Sequence, residues 1–231
     1  EVQSDTKAVV LVNPNNPTGS YVKGNELKIL NTICAQNNIA LISDEVFFDY
    51  TFDRRTDRVS LAENKQALTF VLGGLSKTLC LPQMKLSWII VNGPEAQVKA
   101  AAERLEIILD TYLSVNTPVQ NALKDWLQLQ PEIHAEVMSR VIDNRNFLAR
   151  HIKGIKGCEC LNAEGGWYTI VRLPETMSEE EWGLEFLNND HVFVHPGYFF
   201  DFFDEPLIVV SLLPKPEHFR EGITRIFKRV A

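Results

Sequence analysis

The 231-residue chain has no apolar run approaching the ~18 residues of a membrane span, which excludes a transmembrane helix. It has no basic excess. Lys plus Arg number 23 against 30 Asp plus Glu, a net charge of −7, whereas a general grip on nucleic acid needs a basic face. Cysteine is scarce. Cys34, Cys80, Cys158 and Cys160 form neither zinc-type pairs nor a secreted-style framework. Cys158 and Cys160 would lie on one face of a strand, an awkward geometry for a mutual disulfide. The four read as reduced thiols of a cytosolic protein. The five histidines do not cluster, and there is no internal repeat and no low-complexity linker. The chain does not begin with Met, and Glu1-Val2-Gln3-Ser4 is not an apolar signal segment. The expectation is a processed start or a part of a longer chain.

What is present is ordinary globular composition, 45% hydrophobic and 23% charged, which argues against general disorder. Ala8–Val12 is a continuous apolar run, as expected of a strand buried on both faces. Leu27, Leu30, Ile33 and Cys34 recur at helical spacing. Ile39–Ile42, Ala67–Leu72 and Trp88–Val91 predict three further strands. Strand, loop and helix alternate, so the first part of the chain is α/β, with polar residues gathered where strands end. From Glu95 to about Ile155 the pattern is helical, with Pro118 and Pro131 able to open helices. The remainder reads as a smaller α+β unit. Its strands are predicted over Gly166–Val171, Val192–Val194 and Leu207–Leu212, and its helices over Glu179–Asn188 and Glu217–Val230. One of the long helices near 95–130 or 130–150 is the expected hinge.

Three loops follow buried strands. Asn13–Gly19 is either a Pro/Asn turn or a rigid loop offering the Asn16 amide, donor and acceptor at once, to a ligand oxygen. Ser43-Asp44-Glu45-Val46-Phe47 places a carboxylate at a strand end, where it needs a positive partner. That partner is a helix N-terminus, an Arg, or the cationic ring nitrogen of a cofactor. Gly73-Gly74-Leu75-Ser76-Lys77-Thr78 offers an amine after two glycines that would let backbone approach a ligand. Alone, Lys77 is either an exposed loop residue or a nucleophile, and the P-loop spacing is missing.

In this order and spacing the three loops resemble the pyridoxal-phosphate-dependent aminotransferases of fold type I, class I and II. That family reads Asn-Pro-x-Asn-Pro-Thr-Gly, then Asp-Glu-x-Tyr, then Ser-Lys. Asn116-Thr117-Pro118-Val119-Gln120, Glu164-Gly165-Gly166-Trp167-Tyr168 and Val194-His195-Pro196-Gly197 resemble later family segments, so the likeness covers essentially the whole chain. It implies an α/β fold. Residues 1–115 would be the C-terminal part of a cofactor-binding large domain, with a mostly parallel sheet and flanking helices. Residues 116–231 would hold long helices and a small α+β domain. It also implies amino-group transfer between an amino donor and a keto acid, through a Schiff base of pyridoxal 5′-phosphate on Lys77, in a homodimer; the thiols, the charge balance and the short apolar runs add the expectation of a cytoplasmic protein with no nucleic-acid or membrane partner. Lys77 would be catalytic, Asp44 would pair with the ring nitrogen, Asn16 would hydrogen-bond the ring oxygen, and Ser76 would serve the phosphate. No metal is implied.

The departures from the pattern matter as much. The family Tyr is Phe47 here, which keeps the ring and loses a hydroxyl. The phosphate-binding Arg is Lys85, which keeps charge and loses the bidentate fork. The late-strand Arg that clamps a substrate carboxylate is Val209, which leaves either another cation, such as Arg172 or one outside the chain, or a substrate other than an ordinary α-amino acid. A lyase or decarboxylase on the same fold and a non-catalytic sensing or scaffold module are the alternatives. Tyr198–Phe203 is either small-domain core or an apolar wall around substrate. His195 is the histidine placed nearest the site; His134, His151 and His218 are expected at the surface. The family chain runs longer at the front, and its glycine-rich phosphate loop and ring-stacking aromatic have no counterpart here, so a fragment is expected.

Overall fold

A computed structural model describes residues 2–203 and 205–231. Two compact units divide the chain, residues 1–15 with 20–134, and residues 16–19 with 135–231. The boundary therefore falls within a helix at His134, later than the expected 115, because residues just past 115 pack into the first unit.

The first unit begins with β1 (Ala8–Val12), α1 (Gly24–Asn37), β2 (Ala40–Asp44) and β3 (Thr69–Gly74). It continues with the four-residue α2 (Leu75–Thr78), β4 (Ser87–Asn92), α3 (Glu95–Asp110), α4 (Thr117–Leu127) and the start of α5 (Gln130–Ile152). The strands pair in the order β1-β2-β3-β4, the first three parallel and β4 antiparallel. The glutamate of α1's first turn, Glu26, accepts the Lys23 N–H at 2.8 Å, and α1 ends where Asn38 turns left-handed and returns its N–H to Cys34. The helical spacing of Leu27, Leu30 and Cys34 lays α1 on Ile39, just before β2, and on Leu41 and Val71 of the sheet. Asn116 caps α4 by accepting the Val119 N–H at 3.0 Å, with Pro118 in the first turn. Val119, Leu123 and Trp126 of that helix pack on Leu75, Leu79 and Leu86.

Two expectations change here. β1 lies at the sheet edge among the described residues, with Val10 67% exposed, so it is not buried on both faces. β3 runs on through Gly73 and Gly74, which pair with Trp88 and Ser87 of β4.

The second unit holds a mostly short-stranded antiparallel sheet in the order β5-β6-β8-β7. Its strands are β5 (Glu159–Cys160), β6 (Tyr168–Arg172), β7 (His195–Pro196) and β8 (Leu207–Ser211), with α6 (Glu179–Asp190) and α7 (Pro216–Val230) beside them. Phe219, Ile223, Ile226 and Phe227 form one buried stripe of α7 at helical spacing. Ser178 caps α6 and Glu181 closes the capping box. Buried Asn144 of α5 donates to the carbonyls of Leu212 and Pro214, both at 2.9 Å, and fixes the exit of β8. The strand expected at Val192–Val194 is absent. The Val192 N–H is spent on the Phe186 carbonyl at the end of α6, and pairing starts only at His195, where Pro196 lacks a donor.

Among the described residues no helix is long and apolar enough to cross a membrane, no group of three or more His, Cys, Asp or Glu could hold a metal, and none of the four cysteines is in a disulfide.

Candidate functional site

The carboxyl ends of β1, β2 and β3 gather polar side chains at one end of the first sheet. Asn13, fully buried, stands just past β1. Its amide donates to the Val59 carbonyl at 2.9 Å and to Glu45 Oε1 at 3.4 Å, while its carbonyl accepts the Val22 N–H at 3.0 Å. Glu45 accepts from Ser43 Oγ at 3.0 Å, Ser60 Oγ at 2.6 Å and the Leu61 N–H at 2.8 Å. These two side chains lock the loops together, so Glu45 is a structural carboxylate.

Asp44 beside it is different. Oδ1 accepts the Val46 N–H at 3.1 Å, and Oδ2 has no partner among the described residues. The carboxylate is half-buried and forms no ion pair among them. That half-used acceptor suits a cationic N–H of a bound group.

Lys77 lies on α2, just past β3, the strand paired in parallel with β2. Its Nζ sits 5.5 Å from the centre of the Phe47 ring, which is 6% exposed. Its carbonyl accepts the Tyr50 hydroxyl at 2.6 Å. Tyr50 is 1% exposed, its ring 6.3 Å edge-on to Phe47 and 5.0 Å from His134. Burial, helped by the neighbouring Cys80 thiol, pushes its phenol well above the usual tyrosine range. His134 is partly exposed, as the sequence suggested, and its ring meets the Asp49 carbonyl at 2.9 Å. Lys77, Phe47, Tyr50 and His134 thus form one packed column.

The glycines before Lys77 answer to the sheet. A Cβ at Gly73 would lie 2.3 Å from the Trp88 indole nitrogen, and one at Gly74 3.1 Å from the Ser87 Cβ. The close approach they permit is that of β4, not of a ligand as the sequence suggested. Ser76 is half-buried on α2. Lys85 is exposed, left-handed at φ 52°, and makes no ion pair among the described residues. The Leu75 N–H donates to the Leu86 carbonyl at 3.1 Å, which holds the Lys85 segment against the start of α2.

The structure therefore brings Asp44, Phe47, Ser76, Lys77 and Lys85 into the first unit. Asn16 is exposed and falls in the second. Sequence reasoning missed Asn13 and Tyr50; only their unusual burial marks them.

In the second unit Val209 is 1% exposed. It packs with Ile170 and Leu207, against which Tyr168, Phe200 and Phe202 also rest. Phe200 and Phe202 are thus core, whereas Phe199 and Phe203 are 57% and 77% exposed. Arg172 does not substitute as a free cation. Its guanidinium is held by Glu205, at 2.6 Å, and by Glu159, and these partners raise its pKa. His195 is half-buried among Phe193, Phe199 and Phe200.

A family model for aminotransferase class I and II matches residues 1–226. The glutamate-pyruvate aminotransferase AlaA of Haemophilus influenzae is 28% identical over 232 residues, covering 98% of this chain and 57% of its own. An alanine aminotransferase of Mycobacterium tuberculosis is 25% identical, covering 95% and 50%. Among solved structures, the alanine aminotransferase of Pyrococcus furiosus superposes with a TM-score of 0.85 at 25% identity, over 100% of this chain and 59% of that one. The tyrosine aminotransferase of Leishmania infantum gives 0.87 at 22%, over 99% and 57%, a likeness of fold. The chain spans about half the length of the curated relatives it matches. The order of its strand-end loops and the match along nearly its whole length place the chain in the aminotransferase class I and II family.

Proposed function

We propose that the protein is an aminotransferase that moves an amino group between an amino donor and a keto acid with pyridoxal 5′-phosphate held on Lys77. The observation that supports this best is the pairing of a half-used carboxylate, Asp44, with an amine, Lys77, past the carboxyl ends of two neighbouring parallel strands. The donor set suits the cofactor: an acceptor for a ring N–H, an amine for an aldehyde, and a hydroxyl and an ammonium for a phosphate.

When bound, the cofactor supplies an electron sink for the carbon bearing the amino group. Asp44 Oδ2 would accept the ring N–H and keep that nitrogen protonated. Lys77 Nζ would hold the cofactor and later carry a proton to and from the substrate α-carbon. The buried Phe47 ring would keep water from the amine. Ser76 Oγ and Lys85 Nζ would take phosphate oxygens, the ammonium as a point charge without a guanidinium fork. The resemblance alone assigns the Asn16 amide to the ring oxygen. The same reading makes the protein a cytosolic homodimer; the absence of a disulfide among the four cysteines and the exposed Tyr112 and Leu113 past α3 support it.

A second reading, a lyase or decarboxylase, is favoured by one observation: Val209 lies in an apolar cluster and Arg172 is engaged by two glutamates. The test is to load the protein at its natural length with pyridoxal phosphate, add an amino donor, and follow pyridoxamine phosphate. Its formation, and its return to the aldehyde form on adding a keto acid, supports transfer. Carbon dioxide release without it supports the second reading. Turnover unchanged by Lys77→Ala would sink both.

A further inference from the structure

At the opposite end of the first sheet, where β1, β2 and β3 begin, lies a cavity of about 510 Å³, within the size range of small-molecule sites. A five-residue strand rises roughly 16 Å, so this cavity is a strand's length from Asp44. Its floor is apolar: Cys34 of α1, Ile39, Ala67 at the approach to β3, and Ala101 of α3 are all buried. Its wall carries two cations, Lys7 just before β1 and Arg104 of α3, and the amides of Asn38, Gln66 and Gln97. No aspartate or glutamate lines it, in a chain where acids outnumber bases 30 to 23. Neither Lys7 nor Arg104 makes an ion pair among the described residues, whereas Arg55, Arg140, Arg172, Arg225 and Arg229 all do. An amide rim supplies donors for oxygen, two unspent cations supply charge, and an apolar floor accepts a hydrocarbon tail.

We infer that this cavity is a second ligand site, for a small monocarboxylate with a short branched or straight apolar chain. The carboxylate meets Lys7 and Arg104 at the rim, and the chain lies on the floor between α1 and α3. Recognition needs neither an amino nor a keto group, so the site is independent of the chemistry proposed at Lys77.

The probe is 4-methylpentanoate, titrated calorimetrically into the protein at its natural length, with 4-methylpentanamide and 4-methylpentylamine as neutral and cationic controls. One saturable equivalent is expected for the acid and none for the controls, in wild type and in Lys77→Ala alike. Lys7→Gln and Arg104→Gln should each weaken binding about tenfold. Ala100→Trp, which fills the cavity from half-buried α3 without changing charge, should abolish it. Thermal midpoints of all three variants should stay within a degree or two of wild type, because none removes a buried contact. Absence of saturable binding, equal binding of the amide, loss of binding in Lys77→Ala, or indifference to both charge variants would each overturn the inference.

Discussion

Replacing Tyr50 by Phe removes one oxygen and leaves the ring column in place. The hydroxyl donates to the Lys77 carbonyl at 2.6 Å from a side chain 1% exposed, so water cannot readily take its place. Losing a donor to a buried carbonyl costs about 1–3 kcal/mol. For a chain of this length that is a fall of roughly 3–8 °C in the unfolding midpoint near pH 7.5. The pH dependence adds a sharper test. Burial raises the Tyr50 phenol above its value in the unfolded chain, near 10. The stabilisation is then fully present below pH ~10 and is lost as pH rises from there through the folded value, because the unfolded chain ionises first. The difference between wild type and Tyr50→Phe should shrink steadily above pH ~10, although the protein as a whole weakens. The assay is urea unfolding of both proteins at pH 7.5, 9 and 10.5. A variant as stable as wild type at pH 7.5, or a gap that widens with pH, would refute the account of Tyr50 as the anchor of the Lys77 turn.

Other consequences are as direct. Gly73→Ala should destabilise by about 1–3 kcal/mol through collision with the Trp88 indole, and Trp88→Leu in the same chain should recover part of it, read by thermal unfolding. Glu45→Gln swaps one acceptor oxygen for a donor facing Ser43, Ser60 and the Leu61 N–H; about 2–3 kcal/mol should be lost by urea titration, and a change under 0.5 kcal/mol would show that the cluster rearranges freely. Iodoacetamide at pH 8 should label exposed Cys80 first. Cys34 and Cys158, whose thiols burial raises, and Cys160, pushed up to about 11, should lag, as mass spectrometry of the peptides would record.

Much of this architecture was legible in local patterns. Apolar runs closed by Asn-Pro, Asp-Glu and Gly-Gly marked the three parallel strands, since strand ends are where polar residues collect. Leu27, Leu30 and Cys34 marked the face of α1 by spacing alone. Long-range facts were not legible. Nothing in the string Gly73-Gly74 says that its empty space is filled by Trp88, because the partner arrives only when β4 pairs back. Val10 reads like its apolar neighbours, and its exposure follows from being at an edge. Val192–Val194 has strand composition, yet the end of α6 takes its first donor. In the sequence Tyr50 is one aromatic among several, and only the fold brings its hydroxyl to the Lys77 carbonyl. Asp44 and Lys77 carry a signal because of their order along the chain; the pairing of Arg172 with Glu159 and Glu205 is not legible because those partners are distant in sequence.

Residues 16–19 give the second unit a discontinuous ancestry along the chain. Gly19, at φ 75°, accepts the N–H groups of both Glu164 and Gly165 at 3.1 Å, and any Cβ there would strike the Gly165 carbonyl. Cutting the gene at Ala135 to express the C-terminal piece alone would leave those two donors with nothing to bond but solvent, in a bend shaped to receive a strap. Dissection of this protein should therefore carry the early loop along, as a tethered peptide or by circular permutation, for the C-terminal unit to be whole.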